Sequence, residues 1–198
     1  SDAIGEEAAI FPACRVGADC FGTIQRILKS VPGVRFDHVH KVSSPNNHCH
    51  LTYHSEEDKT EILEGRVGRL TFAEIKGLLD CEIVLMNFIS GSDVYISSLQ
   101  KFRRLFQGKI YIDVHSFTLG KRSSGQRYLR CPQGWEKVVA CGDYIQMNKL
   151  ELAILLKEHP AKVTSGKIEY YLGRLLSLLE RKKIPPREKK FIVTDGSR

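Results

Sequence analysis

Where the stretch Asp143-Tyr144-Ile145-Gln146-Met147 gives way to Asn148-Lys149-Leu150-Glu151, one amide and one carboxylate stand three positions apart. The residues before them read as a short strand and Leu150 to Lys157 as a helix, so both lie at a strand-to-helix junction. In an open α/β sheet that junction borders the crevice where ligands bind. Side chains three apart on an opening helical turn can point the same way. An amide and a carboxylate facing one pocket suit a hydrated divalent cation and the phosphates that ride on it, which makes Asn148 and Glu151 candidate metal ligands. The pair equally suits a helix cap, with Asn148 accepting from a first-turn amide and Glu151 favouring the positive helix end. On the residues alone both readings stand.

Asp113 and His115 close another predicted strand, Lys109 to Asp113. An Asp–His pair suggests general acid–base chemistry. No Ser within a Gly-x-Ser-x-Gly elbow accompanies it, so hydrolysis gains no support. The bland alternative ties the following loop through hydrogen bonds. Asn87, with Ser90-Gly91, ends the preceding strand (Glu82 to Met86) and reaches the same crevice, so Asn87 and Asp113 are candidate substrate-binding residues. Farther on, Gly196 after Thr194 would let a phosphate approach backbone amides. Five of the seven histidines precede residue 60, and His48, His50 and His54 would share one face of a strand. Zinc sites pair such a half with a second one in recognisable spacing. The sequence shows no second half here, so these histidines read as polar residues of a hairpin.

These groups need a scaffold, and the pattern supplies one. Strand Glu82–Met86, helix Val94–Phe106, strand Lys109–Asp113, helix Gly134–Cys141, the strand ending at Met147, its following helix, helix Lys167–Lys183 and strand Phe191–Thr194 alternate. That order predicts right-handed βαβ units and a mainly parallel α/β sheet. Residues 50–54 and 60–63 alternate with period two about a polar turn at 55–59, which predicts a β-hairpin. Gly17 and Gly22 flank Asp19 in a strand-to-helix turn, where Asp19 reads as a cap for a helix from Phe21 to Leu28.

Composition limits the function classes. At 198 residues, the chain is long enough for one α/β domain with a buried core. Its apolar runs are far too short to cross a bilayer. Six cysteines are scattered without a Cys-x-x-Cys, which predicts reduced thiols and a cytoplasmic setting. The net charge of +7 invites an anionic partner. Basic residues crowd at Arg103-Arg104 with Lys121-Arg122, and from Arg181 to Lys190, but no aromatics interleave them as in a base-stacking surface. Nucleic-acid binding is therefore a third reading resting on charge alone.

Five stretches in order resemble the ribokinase-like (PfkB) carbohydrate kinases. Arg15-Val16-Gly17-Ala18-Asp19-Cys20-Phe21-Gly22 is similar to the family's Val-Gly-x-Asp-x-Phe-Gly. Met86-Asn87-Phe88-Ile89-Ser90-Gly91 resembles a strand-to-loop segment of a bacterial sugar-kinase branch. Tyr111-Ile112-Asp113-Val114-His115-Ser116, with Leu119-Gly120, Gly125, Arg127 and Trp135, fits the same branch. Asn148-x-x-Glu151 resembles its magnesium and phosphate organiser, and Phe191-Ile192-Val193-Thr194-Asp195-Gly196 its nucleotide-loop opening.

The resemblance implies a parallel sheet flanked by helices, one incomplete domain over 1–198, and a small β lid within 34–66. It implies ATP and magnesium (Mg2+) as cofactors, a sugar substrate, Thr194 and Gly196 at the nucleotide, and Asn148 and Glu151 at the metal. A homodimer through the lid is a further expectation, since exposed hairpin edges pair readily. Ser1-Asp2-Ala3-Ile4-Gly5-Glu6 reads as the remains of a Gly-Gly turn whose helix and neighbouring strand do not fit before Gly17. The family's Gly-Ala-Gly-Asp, which carries the catalytic base, does not occur in residues 1–198 and is expected beyond Arg198. No residue here is therefore assigned as catalytic. Lys149 and Leu150 replace acidic residues usual inside Asn-x-x-Glu, which lowers the negative charge of the metal site. The alternative to a sugar kinase is a kinase-like module that binds a small molecule or nucleotide without transfer.

Overall fold

Strand β1 (Cys14–Gly17) leads through helix α1 (Phe21–Lys29) to β2 (Val39–Val42), and the two strands pair in parallel. An antiparallel hairpin of β3 (His48–Tyr53) and β4 (Lys59–Glu64) follows. One helical turn, α2 (Phe72–Ile75), precedes β5 (Ile83–Asn87), α3 (Ile96–Leu105) and β6 (Lys109–Asp113). A short hairpin of β7 (Leu119–Lys121) and β8 (Arg127–Leu129) then leads to α4 (Trp135–Cys141) and β9 (Tyr144–Asn148). Helices α5 (Lys149–Leu156) and α6 (Ile168–Arg181) connect β9 to β10 (Lys190–Thr194). These elements come from a computed structural model, which describes residues 8–55, 59–182 and 189–194. Gly196, the turn expected over Ser1–Glu6, residues 56–58 of the expected hairpin turn and residues 183–188 of the basic run lie outside the described residues.

The central sheet runs β10-β9-β6-β5 and every pairing is parallel, as the strand–helix alternation predicts. Each connection steps to the adjacent strand in one direction. Right-handed crossovers repeated in one direction put their helices on one face. That face is the core: Ile110, Ile112, Ile145 and Met147 are at most 1% exposed. They cluster with Leu99 and Phe102 of α3, Val138 of α4, Leu152 and Leu155 of α5 and Leu175 of α6. Alternate residues face away, and Ile83 and Leu85 on β5 are 67% and 68% exposed.

Helix α3 also carries an ion pair into this core. Arg103 Nη1 donates to Asp143 Oδ2 at 2.9 Å, and both side chains are about nine-tenths buried. The same carboxylate oxygen accepts the Ile110 N–H at 2.8 Å, while Arg103 Nη2 donates to the Phe106 carbonyl at 2.7 Å. Arg103 therefore does not belong to a basic surface with Arg104. It ties the end of α3 to the starts of β6 and β9.

Residues 34–66 divide into two different structures. Val39–Val42 is a parallel strand beside β1, and only 48–64 form the antiparallel hairpin. The hairpin projects, as its period-two pattern predicts: every residue of β3 is exposed and only Leu63 of β4 is buried. Its root is tied to the β7–β8 turn by the Leu63 N–H donating to the Gly125 carbonyl at 2.9 Å. The β1–β2 unit is joined to the main body by Arg15, whose guanidinium grips both oxygens of Glu74 at 2.8 and 2.9 Å. Burial pushes the Glu74 pKa up, but Arg15 and the Thr71 amide and hydroxyl outweigh it and hold the carboxyl at about 2.

Candidate functional site

Because all four central strands are parallel, their carboxyl ends gather at one edge. Thr194 pairs with Asn148, Asp113 with Gln146, and Asn87 with Asp113. Asn87, Asp113, Asn148 and Thr194 thus lie along one edge in the order β5, β6, β9, β10, as the sequence predicts for the last three. Against β5, β6 and β9 opens a cleft of about 430 Å³ lined by Leu85, Asn87, Tyr111, Asp113 and Gln146. Asn87 and Asp113 share this cleft, and Thr194 is exposed at the far strand end. Tyr111 and Gln146 belong to no motif that marks them as cleft residues. The available signal was strand period: Tyr111 stands two residues before Asp113 and therefore on its face. The Tyr111 hydroxyl donates to the Gln146 Oε1 atom, and its ring stacks on Tyr144 with centroids 6.1 Å apart.

At the next strand end the capping arrangement is realised in full. Asn148 Oδ1 accepts the Glu151 N–H at 2.9 Å, and Glu151 Oε2 accepts the Asn148 N–H at 2.8 Å. Asn148 Nδ2 also donates to Glu151 Oε1 at 2.9 Å. Glu151 is 5% exposed, and with β9 ending at Asn148 the helix starts at Lys149, one residue earlier than the sequence pattern predicts. An ionised carboxylate offers about four acceptor sites; His115 Nδ1 also lies 3.4 Å from Oε1, so Oε2 is the oxygen that keeps capacity beyond these bonds. The carboxylate therefore fits a cation held through water, whereas direct ligation would compete with the cap. Beside the first turn of α5 a second cleft of about 380 Å³ is lined by Lys149, Leu150, Pro160, Val163 and Thr164, among others.

His115 connects the two strand ends. Its backbone N–H donates to Asp113 Oδ1 at 3.2 Å, and its Nδ1 lies 3.4 Å from Glu151 Oε1. Asp113 thus ties down its own loop, as the bland reading holds, while its carboxylate still lines the cleft. The Glu151 carboxylate raises the His115 pKa above the ordinary 6.5, against a smaller opposing effect of burial. A folded pKa above the unfolded one makes this contribution to stability complete below about pH 6.5 and loses it as pH rises through the folded value. His115→Gln should therefore melt below the wild type at about pH 6, and the difference should shrink as pH rises through the raised folded pKa. A difference that does not change with pH would contradict the His115–Glu151 pairing.

Other expected groups take different places. Gly91 (φ +79°) packs beneath the loop after β6, where a Cβ would lie 2.6 Å from the Ser116 carbonyl oxygen. Its role is close packing, and Ser90 donates its N–H to Asp93 at 3.0 Å. The three hairpin histidines do not converge. His48 faces Asp19, His50 faces Glu64, and His54 bonds the Thr60 hydroxyl.

No protein-family model matches the sequence, and no curated protein sequence matches it. Solved structures do. The chain superposes on a pyrophosphate-dependent kinase in the ribokinase family, solved with sulfate, at a TM-score of 0.71 and 11% identity, covering 96% of this chain and 61% of that one. The chain has the ribokinase fold. It is similar to the ribokinase of Giardia lamblia (TM-score 0.66, 15% identity, 95% of this chain, 53% of that one). It is also similar to the ribokinase of Arabidopsis thaliana, solved with ribose and ATP (TM-score 0.62, 16% identity, 86% and 52%). At 11–16% identity the likeness is one of fold, and the chain spans 52–61% of the length of these solved chains.

Proposed function

We propose that the protein carrying this chain transfers a phosphoryl group to a hydroxyl of a sugar or related polyol. The observation that supports it is the convergence of Asn87, Asp113, Asn148 with Glu151, and Thr194 on one edge of a ribokinase fold. Phosphoryl transfer asks the protein mainly for positioning and for compensation of phosphate charge. In this reading the Asn87 amide, the Asp113 carboxylate and the Tyr111 hydroxyl hold sugar hydroxyls in the cleft. Thr194 faces the donor phosphates, and Gly196, outside the described residues, keeps the same role as a sequence expectation. Asn148 and Glu151 would hold magnesium, and the ion would supply charge neutralisation at those phosphates. ATP is the proposed donor, as one similar kinase was solved with it, and pyrophosphate is the other donor to try. The base for the attacking hydroxyl is not assigned to a residue of this chain.

Six free cysteines accord with a cytoplasmic setting, and among the described residues no helix is long and apolar enough to cross a membrane. Pairing of two copies through the exposed β3 edge, where Leu51 and Tyr53 are exposed, belongs to the same proposal. Sedimentation equilibrium tests it, and a monomer at high concentration would remove it.

The deciding experiment gives the full-length protein ATP or pyrophosphate, a panel of sugars and a magnesium titration, and reads phosphorylated product. Magnesium-dependent transfer to one sugar class is the expected result. Sugar or nucleotide binding without transfer would favour the non-catalytic module. Binding of neither, with tight and salt-sensitive nucleic-acid binding, would favour the third reading. Burial of Arg103 already removes one cation from the surface on which that reading rests.

A further inference from the structure

The hairpin histidines lack a metal-binding partner in the local sequence, but the fold brings one to His48. Asp19 and Cys20, in the turn between β1 and α1, face the first residue of β3. His48 Nε2 lies 3.2 Å from Asp19 Oδ2, and one ligand atom from each of Asp19, Cys20 and His48 falls within 4.8 Å of the other two. Ligand atoms around a tetrahedral zinc, at about 2.0–2.3 Å from the ion, sit roughly 3.3–3.8 Å apart. Small side-chain rotations therefore bring these three donors to one centre. We propose that Asp19, Cys20 and His48 bind a divalent transition-metal ion of the zinc class, which fastens the root of the β3–β4 hairpin to the β1–α1 turn.

The donor chemistry selects the ion. A thiolate and an imidazole favour zinc over magnesium or calcium, which prefer all-oxygen sets. Three protein ligands leave a fourth position for water. The carboxylate is already oriented by the kind of outer contact that metal sites use. Asp19 Oδ1 accepts the Asn46 N–H at 2.8 Å, and Asn46 Oδ1 accepts the Gly17 N–H at 3.0 Å. This clamp needs Gly17, because a Cβ there would lie 2.1 Å from the Asn46 nitrogen. Asp19 Oδ2 is left facing His48.

Burial and then the Asp19 charge push the Cys20 thiol pKa up, so binding must displace the thiol proton to solvent. Cys20 is also the N-cap of α1, whose positive end favours the thiolate that forms. The neighbouring candidates are engaged elsewhere: Cys49 donates to Glu61 at 3.3 Å, and His50 faces Glu64 at 3.5 Å. They serve as controls.

The test titrates cobalt(II) into the reduced, metal-free full protein and reads the thiolate-to-cobalt charge-transfer band, followed by displacement with zinc. One equivalent should bind, and zinc should displace it. Cys20→Ser should abolish the band while keeping α1, since serine is a favoured N-cap. His48→Gln should weaken binding by about ten-fold or more. Cys49→Ser and His50→Gln should leave it unchanged, and circular dichroism should be the same for all variants. A band that survives Cys20→Ser, a band lost in Cys49→Ser, or a folded protein that takes up neither metal would overturn the proposal.

Discussion

Arg103→Ala should destabilise the protein by about 3–5 kcal/mol, because it leaves the buried Asp143 carboxylate without its charge partner. The side chains are each 10% exposed, and the 2.9 Å contact is supported by the Ile110 N–H on the same oxygen. Truncation also deprives the Phe106 carbonyl of its 2.7 Å bond from Arg103. The loss is read from urea unfolding curves at neutral pH. Removing Asp143 as well should recover part of it, since the second change eliminates the uncompensated charge. A single-mutant loss below about 1 kcal/mol, the level of an exposed pair, would show that the pair is solvated.

This arginine also shows what could and could not be read in the sequence. Leu99, Phe102, Arg103 and Phe106 follow the three-and-four spacing of a buried helical face, so the position was legible. Its residue type pulled the reading toward the surface. The parallel sheet was legible because each strand–helix unit is local and each apolar pattern complete. The cap at Asn148 and Glu151 was legible for the same reason, being a matter of four consecutive residues. Strand β2 was not, because its partner β1 lies 25 residues upstream in register (Cys14 to Val39) and no local pattern states that pairing. Asp19 and His48 meet across 29 residues and were equally hidden. Strand β5, with Ile83-Val84-Leu85-Met86, reads as apolar on both faces, yet the described residues half-bury only one. Sequence pattern shows that a face is apolar but not what covers it.

Glu151 is expected to serve the donor phosphates as well as to cap α5. Glu151→Gln keeps the size and one acceptor for Asn148, while its amide nitrogen meets the other Asn148 donor, and it removes the negative charge that would hold a magnesium-bound water. The decisive measurement is ATP-dependent sugar phosphorylation by the full-length wild type and Glu151→Gln across a magnesium titration, beside thermal unfolding of both. Turnover should fall by roughly 10- to 100-fold, the usual cost of losing a water-mediated or supporting contact at a metal site. The magnesium concentration for half-maximal activity should rise with it. An unchanged magnesium curve, with the loss confined to thermal stability, would contradict the account and leave Asn148 and Glu151 as a helix cap.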